Sequence, residues 1–287
     1  LGLIDELVAV THECDYPREV LSKPRITRSL VDSANQTSAE IDAFVREHLH
    51  EHRSIYQLDE EMLEALNPDL ILTQELCDVC AVSYEQVQTA VRTLHGDRTI
   101  LSLEPTDLEA VVATIEAVGR ATGRDAAATE LSRELRQRIA MLEQNAKAIS
   151  RPRVACLEWL DPPFSGGHWV PELVQKAGGE DVLGRPGEPS RRLDWQAVLD
   201  SKPDVIVLMP CGFDRDRTLV EYHRAALPAG WARLPAVSSG HVYAVNANAY
   251  FSRPGPRLVH GIEILSEILQ GSAGRPRAGD NWQRVLE

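Results

Sequence analysis

Six side chains in the sequence are of types that bind metal ions: His12, Glu13, Cys14, Cys77, Cys80 and His168. Cys77 and Cys80 have the C-x-x-C spacing of one half of a zinc site, but the sequence contains no second half of that motif. A four-ligand site would therefore require His12 and Cys14 to approach this cysteine pair in space. The alternative is that these thiols are unpaired or form one disulfide.

A second group of residues could surround an organic ligand. The chain is only 5% aromatic, yet two segments of its C-terminal half hold five aromatic residues: Trp159, Phe164, Trp169, Tyr250 and Phe251. Such rings can wall a pocket for a large, flat, apolar ligand, with His168 and Arg253 as polar anchors. The alternative is that the rings pack against the prolines and glycines of their own loops.

Four segments of unusual composition each follow a predicted strand: residues 11–17, 73–80, 159–169 and 246–254. Ligands of open α/β sheets bind at such strand ends. Because two of the segments fall in each half of the chain, all four could face one cleft. This placement adds Glu75, in the second segment, to the candidate ligand-binding residues.

Sequence motifs of the common enzyme classes are missing. The chain has no phosphate-binding P-loop and no G-x-S-x-G elbow, and the glycine pair Gly166-Gly167 is not a dinucleotide fingerprint. His12 and Cys14 could be a base and a nucleophile, but these two residues in one loop are not by themselves an enzyme motif. We therefore expect a binding protein that requires no cofactor, and not an enzyme.

The elements that position these segments alternate between strands and helices. Short apolar runs and helical patterns predict, in chain order, elements at 7–10 (strand), 59–66 (helix), 69–73 (strand), 99–103 (strand), 154–159 (strand), 169–177 (helix), 204–209 (strand), 241–245 (strand) and 256–269 (helix). Residues 125–148 contain no Gly or Pro, which predicts one long helix. The order predicts an α/β fold with two Rossmann-like lobes, joined by this backbone helix, and a ligand cleft between the lobes. The expected domains are residues 1–123, 124–150 and 151–287.

Charge and composition exclude several classes of protein. The formal net charge of −13 argues against binding to duplex nucleic acid, which needs a concentrated basic surface. No apolar stretch reaches the roughly 18 residues that cross a bilayer, so a membrane-spanning protein is not expected. No signal peptide is visible in the sequence. The five cysteines are an odd number, so at least one thiol is unpaired.

Several of these segments together resemble a known family. The most specific are Asp15-Tyr16-Pro17 in the first loop and Pro162-Pro163-Phe164 with Gly167 in the third. With the long central helix and the Pro-Asp pairs that open two strands, they resemble the class III periplasmic binding proteins, the helical-backbone metal receptors. The cobalamin-binding members are the most similar, and the resemblance covers nearly the whole chain.

The resemblance implies a ligand, a partner and a compartment. The expected ligand is cobalamin or a related corrinoid, delivered to the permease dimer of an ABC importer by a monomeric binding protein outside the cytoplasm. A ferric siderophore or haem is the first alternative, and a cytoplasmic metal-binding protein that uses Cys14, Cys77 and Cys80 is the second.

The resemblance also assigns roles to single residues. Positions that line the corrin site in the family match Glu13, Phe164, Tyr250 and Phe251, and His12 or His168 could coordinate the chelated metal. The two positions that dock the permease match Glu61 and Gln196. The family has a glutamate at each docking position, whereas this chain has the uncharged Gln196 at the second one.

Overall fold

The computed structural model describes residues 1–32, 35–51, 54–74, 98–146, 151–270 and 281–285. Contacts divide the chain into two compact units. The first contains Leu1–Glu104 and Gly119–Arg124, and the second contains Pro105–Val118 and Asp125–Glu287. The domain bounds expected from the sequence stay a prediction, but the contacts group residues 105–118 and the long helix with the second unit.

Among its described residues, the first unit has two short sheets, two α-helices and a 3-10 helix at Arg18–Ser22. Its strands are β1 (Thr27–Ser29), β2 (Tyr56–Leu58), β3 (Leu70–Thr73) and β4 (Thr99–Ser102), and its helices are α1 (Ser38–His50) and α2 (Glu60–Leu66). β1 pairs with β2 in antiparallel orientation, and β3 pairs with β4 in parallel orientation. A small core forms where Leu63 of α2 packs against Ile26, Leu58 and Ile71. The predicted helix at 59–66 and the strands at 69–73 and 99–103 are therefore confirmed.

The strand predicted at residues 7–10 is wrong. Only Val10 takes part in a β-bridge, with Arg25, and the side chains of Leu7 and Val8 are exposed. An apolar run becomes a strand only where neighbouring backbone can satisfy its N–H and C=O groups. Here Val10 alone makes such bonds, to Pro24 and Ile26.

The second unit is built on a mixed sheet. Its strands are β5 (Arg153–Leu160), β6 (Pro163–Ser165), β7 (Glu180–Asp181), β8 (Val205–Leu208), β9 (Val242–Val245) and β10 (Trp282–Arg284). The strand order is β10-β9-β8-β5-β6, and β7 also pairs with β5. β5, β7, β8 and β9 are parallel, whereas β6 and β10 are antiparallel to their neighbours. β8 and β9 are buried along their whole lengths, as expected for central strands covered on both faces.

The described residues that follow the first unit's strands also form helices. They are α3 (Leu108–Ala121), α4 (Asp125–Ala146), α5 (Val170–Lys176), α6 (Trp195–Ser201), α7 (Arg215–Arg224), α8 (Pro235–Ser238), α9 (Ala247–Tyr250) and α10 (Leu258–Leu269). α4 is the long helix predicted from the sequence. Arg138 of α4 donates two hydrogen bonds of 2.9 Å to Glu263 of α10, which explains why the helix groups with the second unit. No helix in the described ranges is long and apolar enough to cross a membrane.

The two units repeat one local design, a capped helix that leads through a Pro-Asp pair into a strand. Asp59 accepts a hydrogen bond at the start of α2, and Asp194 does so at the start of α6. Each helix ends on a left-handed residue, Asn67 with φ 45° and Lys202 with φ 42°. The Pro-Asp pairs that open β3 and β8 were recognised in the sequence, whereas the helix Trp195–Ser201 was not among the predicted elements.

We expect Asp194→Ala to lower the free energy of unfolding of the second unit by about 1 kcal/mol, the usual cost of losing a helix cap. The aspartate accepts the backbone N–H of Gln196 at 2.9 Å. Asp200→Ala is the matched control, since it removes the same charge at the other end of α6. Urea denaturation measures both, and equal losses in the two variants would contradict a capping role.

Candidate functional site

The carboxyl ends of three parallel strands bring three loops to one edge of the second unit. β5, β8 and β9 are neighbours and run in the same direction, so the residues that follow them meet at this edge. Hydrogen bonds tie the loops together. The Asn248 N–H donates to the Phe213 carbonyl at 3.0 Å, and the Cys211 N–H donates to the Glu158 carbonyl at 3.1 Å.

Two of the predicted aromatic residues form a surface at this edge. Trp159 lies directly opposite Phe164 in the β5–β6 hairpin, so both side chains leave the same face of it. Both rings are half-buried. The ring of Phe213, which is buried, packs behind Trp159 with 5.3 Å between centroids. Phe213 was not singled out from the sequence, because it follows β8 in a loop with no other aromatic residue.

Two other predicted aromatic residues are buried. Trp169 is 5% exposed and Phe251 is 2% exposed. The Trp169 indole N–H donates to the Phe251 carbonyl at 2.7 Å, and this bond joins the loop after β6 to the turn after β9. Burial of these two rings shows that they pack inside the second unit. Their contact with a ligand stays a prediction.

Tyr250 and Arg253 lie in the turn that follows β9. The half-buried Tyr250 ring is 6.0 Å from the His260 ring, and the Arg257 guanidinium lies 5.7 Å from its centroid. Arg253 donates to the Asn248 side-chain oxygen at 2.6 Å. The turn therefore places the Arg257 guanidinium beside an aromatic ring, and Asn248 holds Arg253, which was predicted as a polar anchor.

His168 has a backbone conformation that is uncommon for a residue other than glycine, with φ 51°. Its N–H donates to the Glu188 carbonyl at 2.6 Å, and its carbonyl accepts from the Gly187 N–H at 2.9 Å. These two bonds hold the residue in place. Burial lowers the pKa of the half-buried imidazole, which favours its neutral form. A neutral imidazole nitrogen can accept a hydrogen bond or coordinate a metal.

Glu158 is a polar residue of this edge that the sequence analysis missed. The register of the β5–β6 hairpin shifts between Leu157 and Trp159, so Glu158 is the extra residue of a β-bulge. Its carboxylate accepts the Gly167 N–H at 3.0 Å. Burial raises the pKa of Glu158 to about 8, and the nearby Cys211 and Asp181 act in the same direction. Bulges commonly re-aim side chains next to binding sites, but no sequence signal marks this one.

In the first unit, His12 is fixed against the β1–β2 hairpin. Its N–H donates to the Thr27 hydroxyl at 3.1 Å, and its Nδ1 lies 2.7 Å from the same oxygen. The ring lies 5.1 Å from the Tyr56 ring. Nε2 of His12 is 3.5 Å from the carboxylate of Glu13, whose side chain is 52% exposed. His12 and Glu13 therefore form one polar group in the first loop.

The thiol of Cys14 lies 3.4 Å from the Thr11 hydroxyl. Arg25 donates to the carbonyls of both Thr11 and Cys14, which fixes the turn of the first loop. Within the residues that the structure describes, no three His, Cys, Asp or Glu side chains are grouped so that they could hold a metal ion. Glu75, Cys77 and Cys80 lie outside the described residues, so the predicted metal site stays a prediction.

The two predicted docking residues occupy equivalent places. Glu61 lies in the first turn of α2 and Gln196 in the first turn of α6, and both are exposed. Glu61 also borders a pocket of about 490 Å³ whose other lining residues include Arg25 and Arg28. Gln196 donates to Asp200 at 2.8 Å. Their role in docking stays a prediction.

A separate pocket of about 290 Å³ lies between α3, α4 and α5. Its charged side chains pair with one another. Arg136 bonds Glu109 and lies 2.8 Å from Glu116, and Lys176 lies 3.1 Å from Glu143. Because these pairs already neutralise the charges, we assign no ligand to this pocket.

The sequence profile described as periplasmic binding protein matches residues 13–249. A cobalamin-binding protein of Halobacterium salinarum is 25% identical over 222 residues, which cover 75% of this chain and 57% of the relative. The match thus spans little more than half of the relative's length. A vitamin B12-binding protein of Vibrio cholerae is 24% identical over 273 residues, which cover 94% of this chain and 83% of the relative.

Solved structures share the fold. The periplasmic vitamin B12-binding protein of Vibrio cholerae has a TM-score of 0.67 at 21% identity, over 96% of this chain and 92% of that one. A periplasmic haem-binding protein of Pseudomonas aeruginosa has a TM-score of 0.70 at 19% identity, over 98% and 91% of the two chains. At these identities the similarity concerns the fold, which is the α/β fold predicted from the sequence.

Proposed function

Because the chain belongs to the periplasmic binding protein family, we propose that it is the solute-binding protein of an ABC importer and that its ligand is cobalamin or a related corrinoid. The ligand is held between the two lobes, as the resemblance implies. The protein acts by binding and delivery, and no catalytic step is assigned to it.

One observation carries this proposal, the aromatic surface formed by Trp159 and Phe164. The two residues lie directly opposite each other, so their side chains leave one face of the hairpin, at the edge of the sheet where α/β proteins bind ligands. Two adjacent half-buried rings suit a large, flat, apolar molecule better than a small polar solute. A corrin ring has this shape. The cobalamin-binding names of two relatives support the same ligand.

The remaining predicted residues have supporting roles in the proposal. Tyr250 and Arg253 bound the same edge, and His168 offers a neutral imidazole to the ligand or its metal. His12 and Glu13 would contribute from the first unit. Trp169 and Phe251 would act by holding the loops in place, since both side chains are buried.

Titration of the purified protein with cyanocobalamin tests the proposal, by calorimetry and by the visible absorbance of the corrin. We expect one-to-one binding, and we expect Phe164→Ala to raise the Kd about 10-fold to 100-fold, since a well-packed aromatic contact contributes on the order of 1–3 kcal/mol. Phe44→Ala is the control, because it truncates a half-buried ring on α1 of the first unit. Absence of heat and of a spectral change would reject cobalamin as the ligand.

Haem or a ferric siderophore is the second candidate. The observation that favours it is the presence of two arginines near the turn after β9, Arg257 beside the Tyr250 ring and Arg253 bonded to Asn248. Haem and siderophores carry anionic groups that guanidinium binds well. Haemin titration, followed in the Soret band, distinguishes the two candidates. Haemin binding that is lost in His168→Ala, without any cyanocobalamin binding, would favour this alternative.

A cytoplasmic metal-binding protein is the third candidate. It would use the thiols of Cys14, Cys77 and Cys80, and it predicts metal in the purified protein at a fixed ratio. Elemental analysis before and after Cys14→Ser tests it. A stoichiometric metal that is lost in the serine variant would replace the importer hypothesis.

The proposal also includes a partner and a compartment. The partner is an ABC permease dimer contacted through Glu61 and Gln196, and the binding protein works as a monomer outside the cytoplasm. Glu61 is exposed at the start of α2, where a cationic partner group could reach it.

A further inference from the structure

Arg192 lies directly opposite Phe164 in an antiparallel β-bridge. Two backbone hydrogen bonds flank this pair. The Ser165 N–H donates to the Arg191 carbonyl at 3.0 Å, and the Leu193 N–H donates to the Pro163 carbonyl at 2.8 Å. The bonds are made by the neighbours, so Phe164 and Arg192 are a non-hydrogen-bonded pair. In such a pair both side chains leave the same face, with Cβ atoms about 4.5–5.5 Å apart.

Phe164 has Trp159 on its other side, also directly opposite. The three residues Trp159, Phe164 and Arg192 therefore form one row across three adjacent segments, which we call the Trp159–Arg192 row. Neighbouring segments of a sheet are about 4.8 Å apart. The opposite face of the hairpin points into the unit, because Leu160 and Pro163 are buried. The row therefore presents two aromatic side chains and one arginine side chain on the same face.

The guanidinium of Arg192 can bind an anionic group of a ligand that lies on this row. Arginine stays charged at all relevant pH values, and its planar fork binds carboxylate and phosphate groups with two hydrogen bonds. The whole chain carries a formal charge of −13, so an anionic ligand approaches against the general field of the protein. A cation next to the aromatic surface offsets that field where the ligand is bound.

We propose that Arg192 determines specificity, by pairing with a carboxylate or phosphate at the edge of the flat ligand that lies on Trp159 and Phe164. This inference rests on the proposed function. It adds that an anionic group at the edge of the ligand contributes to affinity, and that a ring of the same kind without this group binds less tightly.

Three probes separate the possible anionic groups. Cyanocobalamin carries one phosphodiester, haemin carries two carboxylates, and dicyanocobinamide has the corrin ring without the phosphodiester-linked nucleotide. We expect Arg192→Gln to raise the Kd for the anionic probe about 10-fold to 100-fold and to leave the Kd for dicyanocobinamide unchanged. Arg192→Lys keeps the charge but not the fork, so it should fall between the two.

Arg185→Gln is the matched control. Arg185 lies in the same loop, and its side chain is 71% exposed and 3.6 Å from Glu188. Arg185→Gln removes one positive charge from the same loop and leaves the Trp159–Arg192 row unchanged. The Kd values for all three probes should therefore stay at the wild-type level. Far-UV circular dichroism and tryptophan fluorescence show that each variant is folded.

Each outcome decides the inference. A selective loss of cyanocobalamin binding in Arg192→Gln supports a phosphate partner, and a selective loss of haemin binding supports a carboxylate partner. Equal binding of every probe by wild type and Arg192→Gln would overturn the role of Arg192 and leave the proposed function intact. An equal loss for dicyanocobinamide would also overturn it, because the effect would not depend on charge. If the wild-type protein binds none of the probes, the proposed function fails and the inference fails with it.

Discussion

Replacing Trp169 with alanine is expected to lower the free energy of unfolding of the second unit by about 3–5 kcal/mol, the range for large buried aromatic residues. The side chain is 5% exposed, and its indole N–H donates to the Phe251 carbonyl at 2.7 Å. The substitution would leave both a cavity and an unsatisfied buried carbonyl. Urea denaturation followed by tryptophan fluorescence measures the loss, because all five tryptophans lie in the second unit.

Trp159→Ala is the matched comparison, since it removes the same side chain from the same segment of the chain. Trp159 is half-buried and belongs to the proposed ligand surface. We expect it to lose less stability than Trp169→Ala and to lose ligand binding. Trp169→Phe, which keeps most of the ring volume, should cost only about 1–2 kcal/mol through the lost hydrogen bond. A Trp169→Ala variant as stable as Trp159→Ala would show that Trp169 is not a support of the loops.

Trp159 and Trp169 show which features of the site the sequence predicts and which it does not. The aromatic cluster was predicted, but Trp159 and Trp169 could not be separated, since both lie in one loop that is rich in proline and glycine. Their difference depends on the β-bulge at Glu158, which sets the face of the hairpin, and on a hydrogen bond to a residue 82 positions away. Composition and periodicity do not report either feature.

Local elements were more predictable than the site. α2 and α4 follow from helix propensity and capping residues, which act over a few positions of the chain. The strand predicted at residues 7–10 failed because strand formation depends on distant partners. Arg192 was missed for the same reason, since its position beside Phe164 arises from a bridge between segments 28 positions apart.

We expect the stability of the second unit to fall as the pH rises towards 8, and Glu158→Gln to reduce that fall. Burial raises the pKa of Glu158 to about 8, whereas its ordinary value is 4.5. Between these values the unfolded chain has released the proton and the folded chain still holds it. The folded state therefore binds more protons, and the free energy of unfolding decreases with pH. For a half-buried group we expect a decrease of about 3 kcal/mol across this range.

Asp181 contributes in the same direction at lower pH. Burial raises its pKa to about 6 from an ordinary value of 3.8, although hydrogen bonds from the Gly184 and Leu183 N–H groups oppose the shift. Above pH 6 the contribution of Asp181 is nearly complete. The lowered pKa of His168 acts in the opposite direction near pH 6, so the comparison with Glu158→Gln, in which His168 is unchanged, isolates Glu158. Its glutamine variant cannot ionise, and the amide oxygen can still accept the Gly167 N–H that the carboxylate accepts at 3.0 Å.

Urea denaturation at pH 6, 7 and 8 measures the difference between the two proteins. The wild-type protein should lose stability over this interval, and Glu158→Gln should lose clearly less. Glu180→Gln is the control, because it removes an exposed carboxylate from β7 and should preserve the wild-type slope. If wild type and Glu158→Gln give parallel curves, Glu158 ionises alike in the folded and unfolded chains. The bulge would then place its carboxylate in contact with water, and burial would not set its pKa.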